Sequence, residues 1–296
     1  MMKKAEFDNI IKENLIKRIG KASFGYCIGE KVYENYYSAD AFKSFIKDMK
    51  KKYKDAFAAY DDGAGGELEK KRGRYGLMPP KMASVASSSR FCYLALRDGA
   101  KVFDSNSEAS FEHECAIDGI ASGTAPQLDA YIPDREIYIE AKCHEIFDSH
   151  KVIMKEKYWE CIYGEGNPFG MEPKERESAD KFEIPLSVFG IDDKKGTMFD
   201  IKQFLCHLLG IASRKDKLKE ATLVYLFFKP KSVKRELTQE IDEVFDELRG
   251  EIKRLFESAP IKKFTSENNI ELMAVAEYSE VMEALTKDNI IDLLTE

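Results

Sequence analysis

The 296 residues, 44% apolar and 33% charged with 18 Gly and 9 Pro, suit one elaborated domain or two and exclude a minimal scaffold, a collagen-like repeat and wholesale disorder. The net charge of -7 is unevenly spread: residues 1–100 hold 20 Lys and Arg against 13 Asp and Glu, and the remainder 26 against 40. A polyanionic partner therefore suits the first third rather than the whole chain.

In chain order, apolar residues Phe7, Ile10, Ile11, Leu15 and Ile16 predict an amphipathic helix over 5–19, stopped at Gly20. The residues ahead of it include Lys3 and Lys4 but no apolar leader, so a cytoplasmic location is expected. A second helix is predicted from the N-cap Ser38 through Phe42, Phe45, Met49, Tyr53 and Tyr60 until Asp61-Asp62-Gly63. Residues 61–76 read as a connection ending in the basic run Lys70, Lys71, Arg72 and Arg74. Residues 1–76 are thus expected to form a helical, basic N-terminal section, and 77–296 a second domain with an inserted helix and loop at about 145–198.

Pro79-Pro80 introduces a predicted helix over 81–97. Three short β-type runs follow at 111–117, 127–132 and 136–143, read as consecutive antiparallel strands. Beyond them we expect helices at 145–163 and 199–212, a buried strand at 221–228, a helix at 234–257, a strand at 270–275 and a terminal helix from Ser279. That order predicts a mixed sheet flanked by helices. The longest apolar runs, 204–213 and 223–228, are far short of a bilayer span, so no membrane partner is expected. The six cysteines lack Cys-x-x-Cys spacing, which predicts reduced thiols rather than disulfides or a zinc site.

Acidic residues stand in the three strands where apolar ones are usual, and alternation sorts them by face. Tyr138, Glu140 and Lys142 share a face, as do Asp129 with Tyr131 and Glu112 with Glu114; His113 falls opposite Glu112. Directly opposed residues in an antiparallel pair have a constant index sum: a two-residue loop, Asp134-Arg135, and a four-residue loop over 133–136 both give 269 and set Asp129 against Glu140, whereas a three-residue loop gives 268 and parts them unless a bulge intervenes. Opposed carboxylates repel, so a hard cation, Mg²⁺ or Mn²⁺, is expected between them. Lys142, on the same face, is suited to orient a water or to stabilise charge developing on a phosphate.

The run Leu128-Asp129-Ala130 followed by Ile139-Glu140-Ala141-Lys142 resembles the motif of the PD-(D/E)XK nuclease superfamily, with Pro126 three residues ahead of Asp129 rather than adjacent. The element order over 81–228 is similar to that family's αβββαβ core, and Ser87-Ser88-Ser89 and Gln203 resemble features of its helices. The resemblance implies an α/β, restriction-endonuclease-like fold carrying an added helical N-terminal section. It also implies a metal-dependent deoxyribonuclease in which Asp129, Glu140 and the Ala141 carbonyl hold the metal and Lys142 assists the water. Glu112 or Glu114 is a third acidic candidate, or a solvated edge residue. Glu145 is either a group that positions Lys142 or an acid drawn to a helix dipole, and Gln203 is its counterpart on the later helix.

DNA is the expected partner, with Lys47, Lys50, Lys51, Lys54, Lys70, Lys71, Arg72 and Arg74 as candidates for its phosphate backbone, or else as a solvated face. A homodimer would bring two sites to two strands. The alternatives are a non-catalytic nucleic-acid-binding or interaction module on the same fold, and an all-helical regulator.

Overall fold

The computed structural model describes residues 2–63, 67–73, 76–118, 120, 125–172, 181–194, 196–214 and 219–295. Helix α1 (Lys4–Ile19) buries Phe7, Ile10, Ile11 and Leu15 and ends at Gly20, whose φ of 84° favours glycine. It anchors to the far end of the chain through Asn14, which donates to the carbonyls of Lys231 and Glu280, both at 2.7 Å. A hairpin that the sequence reading missed follows, β1 (Phe24–Ile28) and β2 (Lys31–Tyr37). Ser38 then caps α2 (Ala39–Lys52) by accepting from the Ala41 N–H. The single helix expected to Tyr60 is two: Tyr53, at φ -132° and ψ 65°, breaks it, and α3 (Lys54–Asp62) resumes. A small hairpin, β3 (Lys71–Gly73) and β4 (Gly76–Met78), occupies part of the expected connection.

The helix predicted over 81–97 begins only at Ser88, as α4 (Ser88–Leu96), with Ser87 as N-cap. The residues before it are held by Arg90, 3% exposed, whose guanidinium donates to the carbonyls of Met82, Ser84 and Val85 and lies over the Tyr37 ring. The three predicted strands are present as β5 (Ser110–Glu114), β6 (Gln127–Ile132) and β7 (Ile137–Lys142), antiparallel in sequence. The single helix expected at 145–163 is broken up: a 3-10 turn (Glu145–Phe147), a strand β8 (Val152–Lys155), a second 3-10 turn (Glu156–Tyr158) and a short α5 (Trp159–Tyr163); β8 pairs with β9 (Lys181–Ile184). Helix α6 (Ile201–Ala212) and strand β10 (Ala221–Pro230) match expectation, and a helix α8 (Ala259–Asn268) follows α7 (Arg235–Glu257) before β11 (Ile270–Ser279). The expected terminal helix is instead a turn and an edge strand, β12 (Ile290–Asp292), antiparallel to β11.

The chain is therefore α/β, with a six-stranded mixed sheet in the order β12-β11-β10-β7-β6-β5 and helices packed on it, which excludes the all-helical reading. Strand β10 is parallel to both β7 and β11 and is buried almost throughout, as central strands covered on both faces are. The N-terminal section joins the same core: Phe45 meets Tyr93 edge-on at 5.6 Å, and Tyr60 packs on Phe111 at 5.5 Å. Among the described residues no helix is long and apolar enough to cross a membrane.

Helix α6 approaches the sheet end so closely that a Cβ on Gly210 would lie 2.6 Å from Cys115 Cβ and 3.0 Å from its carbonyl oxygen. Gly210→Ala should therefore cost about 1–3 kcal/mol by overpacking and lower the melting temperature in a thermal scan, despite the better helix propensity of alanine. On β11, Glu277 is fully buried, accepts from Ser279 and Asn289 through one oxygen, and leaves the other without a partner. Burial pushes its carboxyl up to about 8. Unfolded, it titrates near about 4.3, so the folded chain keeps a proton that the unfolded chain releases, and stability falls as pH rises through that window. Glu277→Gln should thus raise the melting temperature above pH 8 by several degrees and leave it unchanged near pH 4, with roughly 2–4 °C expected per kcal/mol in a chain of this size.

Candidate active site

The ladder between β6 and β7 pairs Ile132 with Ile137, Tyr131 with Tyr138 and Ala130 with Ile139, the index sum of 269 that sets Asp129 against Glu140. It stops there, and the next inward N–H, of Ala141, donates to Asp129 Oδ2 at 2.7 Å instead of to a backbone carbonyl. Strand β7 keeps its partner on the other side as far as Lys142, paired with Phe227 of β10. The acids thus stand where the two strands part company. Glu140, 4% exposed, shares its Oε1 between Lys142 Nζ at 2.6 Å and Gln203 Nε2 at 2.8 Å, while Gln203 Oε1 accepts from Lys142 at 2.7 Å. Gln203 reaches this point because Asp200 caps α6 by accepting the Gln203 N–H, which places it in the first turn.

The electrostatics are those of a site with too much negative charge. Asp129 is held well above the usual carboxylate range by burial and then by Glu140, against the opposing pull of Lys142 and the Ala141 N–H. Glu112 is pushed up to about 7 by burial, Glu67 and Glu140. For Lys142, burial acts downward, but Glu140 and Glu145 outweigh it and raise its pKa, so it is a firm ammonium. His207 of α6, with Nε2 3.7 Å from Glu140 Oε2, is driven toward the neutral form by burial, and its Nδ1 meets the Tyr225 hydroxyl at 3.1 Å.

Asp129, Glu140, Lys142, Gln203 and Glu112 line a cleft of about 460 Å³. Glu112 opens onto it and Glu114 does not: Glu114 is exposed, whereas Glu112 adopts a φ of 52°, which breaks the strand alternation. The same break moves His113 off the face predicted for it, to stack on Tyr131 at 4.4 Å. Glu145 accepts the Cys143 N–H at 2.7 Å, which fixes the chain just after Lys142. Sequence reasoning missed Glu67, Lys81 and His144, which also line the cleft. Glu67, 5% exposed, pairs with Lys81 at 3.0 Å, and His144 is held by Asp8 of α1 at 2.7 Å. All join segments distant in the chain, and no local spacing announces them.

A divalent cation suits this donor set. Asp129 and Glu140 each keep one carboxylate oxygen outside the hydrogen bonds just described, the donors are hard, and the carboxyl repulsion raised at Asp129 is what a cation relieves. Among the described residues no three His, Cys, Asp or Glu side chains converge as a ready-made cage, so the fit is to an ion that takes one or two carboxylates and keeps its waters.

Of the basic candidates, Lys47, Lys50 and Lys70 line one groove; Lys51, Lys54 and Arg72 are exposed elsewhere, Lys71 lies on β3, and Arg74 is outside the described residues. Comparisons of the chain with protein-family models, with curated proteins and with solved structures found no match in any of the three.

Proposed function

We propose that the chain is a divalent-metal-dependent nuclease that hydrolyses phosphodiester bonds in DNA, built on a restriction-endonuclease-like core of the PD-(D/E)XK kind. The observation that carries this reading is that Asp129 and Glu140, one step beyond the last β6–β7 pair, face the same cleft, with Lys142 pinned beside them by Glu140 and Gln203. The order α4, β5, β6, β7, α6, β10, with β8, α5 and β9 inserted between β7 and α6, supports the αβββαβ assignment. Asp129, Glu140 and the Ala141 carbonyl would hold Mg²⁺ or Mn²⁺, which when bound supplies Lewis acidity and a water of lowered pKa.

The chain's own residues divide the remaining work. Lys142, fixed as an ammonium, orients the attacking water and meets charge developing on the phosphate; it does not take the proton. Gln203 holds the Lys142 and Glu140 side chains in one geometry, which removes rotamer freedom from both. The N-terminus of α4, whose Ser87, Ser88 and Ser89 border the cleft, offers partial positive charge to the phosphate.

Calorimetry tests the metal site. Mn²⁺ should give a binding isotherm with the wild type that disappears in Asp129→Ala; the absence of heat from both favours the non-catalytic module.

A further inference from the structure

A second depression, of about 600 Å³, lies between α2, β1 and the segment around residue 70. Its floor is apolar, with Tyr26 and Phe42 buried and Ile46 and Leu68 half-buried. Its rim is cationic. Lys43, Lys47 and Lys50 follow one face of α2 over about 10 Å of helix rise, and Lys70 stands opposite with its ammonium over the Tyr26 ring at 5.5 Å. None of the four is paired with a carboxylate among the described residues, and Glu69 is the one acid lining the groove.

The groove and the catalytic cleft share a wall. Glu67 and Lys81, ion-paired at 3.0 Å, line the cleft, while the adjoining residues Leu68, Glu69, Lys70 and Pro80 line the groove. The two segments of that wall are tied by the Met82 N–H donating to the Glu67 carbonyl at 3.0 Å.

We propose that this groove binds a single strand of DNA, with bases against the apolar floor and phosphates on the lysine rim, and leads it over the shared wall to Asp129 and Glu140. Where the strand leads rests on the nuclease reading; what the groove binds does not. An apolar floor beneath a cationic rim matches a splayed strand, whose base faces are open, better than a duplex, which presents its backbone and hides those faces. The arrangement also gives an acidic cleft a route to a polyanion that it would otherwise repel.

The test is fluorescence anisotropy of the full chain with labelled oligo-dT of about 12 nucleotides, a blunt duplex of equal length and a poly-glutamate peptide, in chelator so that nothing is cut. Lys47→Glu/Lys50→Glu should weaken oligo-dT binding at least about tenfold and flatten the salt dependence by about 1.4 units or more, since each single-strand phosphate contact contributes about 0.7. Ile46→Ser should weaken binding severalfold at an unchanged salt slope. Lys51→Glu/Lys54→Glu, an equal charge change on the α2–α3 surface outside the groove, should lose less than the groove pair. Equal losses in the two charge variants, tighter binding of the duplex, or binding of the peptide without DNA would overturn the proposal. Strand binding with no cleavage on adding Mg²⁺ or Mn²⁺ counts against the nuclease reading and leaves the groove standing. Cleavage with oligo-dT affinity unchanged in the groove variants does the reverse.

Discussion

Asp129→Asn should reduce metal-dependent DNA cleavage by on the order of 10³-fold and, in the same preparation without metal, raise the melting temperature. Both effects have one origin. The carboxyl is desolvated and faces Glu140, so the folded chain bears a repulsion that it escapes by unfolding. Asparagine keeps an oxygen for the Ala141 N–H and removes the charge. A gain of about 1–2 kcal/mol, or a few degrees, is expected, and it should shrink when Mg²⁺ stabilises the wild type by binding. Loss of activity together with loss of stability would mean that Asp129 serves the fold alone.

Lys142→Met should also abolish cleavage, by roughly 10²- to 10³-fold, but with the opposite effect on stability. Glu140 is 4% exposed, and removing the ammonium 2.6 Å away leaves its charge buried with Gln203 as the remaining donor to Oε1. Breaking such a pair costs about 3–5 kcal/mol, which urea denaturation without metal should read directly. The double variant Glu140→Gln/Lys142→Met should recover much of that loss, because Glu140 no longer leaves a buried charge without its ammonium and the repulsion on Asp129 is removed with it. Two inactive variants that move stability in opposite directions separate a repulsive metal-binding pair from a structural ion pair.

The heart of the site was legible in the sequence because it depends on local rules. Strand alternation and any even loop give the index sum of 269 that sets Asp129 against Glu140; the sequence left the loop length open, and the structure makes it four residues, pairing Ile132 with Ile137. The same rule failed at Glu112, where a single residue at positive φ reversed the face of His113 and separated the roles of Glu112 and Glu114. Elements decided by packing were also hard to read. The 145–163 stretch holds apolar residues at spacings that suit a helix, yet Val152 and Met154 are buried as alternating residues of β8. The break at Tyr53 splits a pattern that is periodic on both sides of it. Glu67 with Lys81, and Asp8 with His144, are tertiary pairs, and the latter joins residues 136 apart in the chain.

The most direct measurement is a cleavage assay of purified wild type and Asp129→Asn on linear, circular, single-stranded and branched DNA, with Mg²⁺, with Mn²⁺ and with chelator. The nuclease reading predicts that the wild type cuts at least one of these substrates only when metal is present, and that the variant cuts none. A wild type that leaves every substrate intact with both metals, or a variant that cuts as well as the wild type, would contradict it.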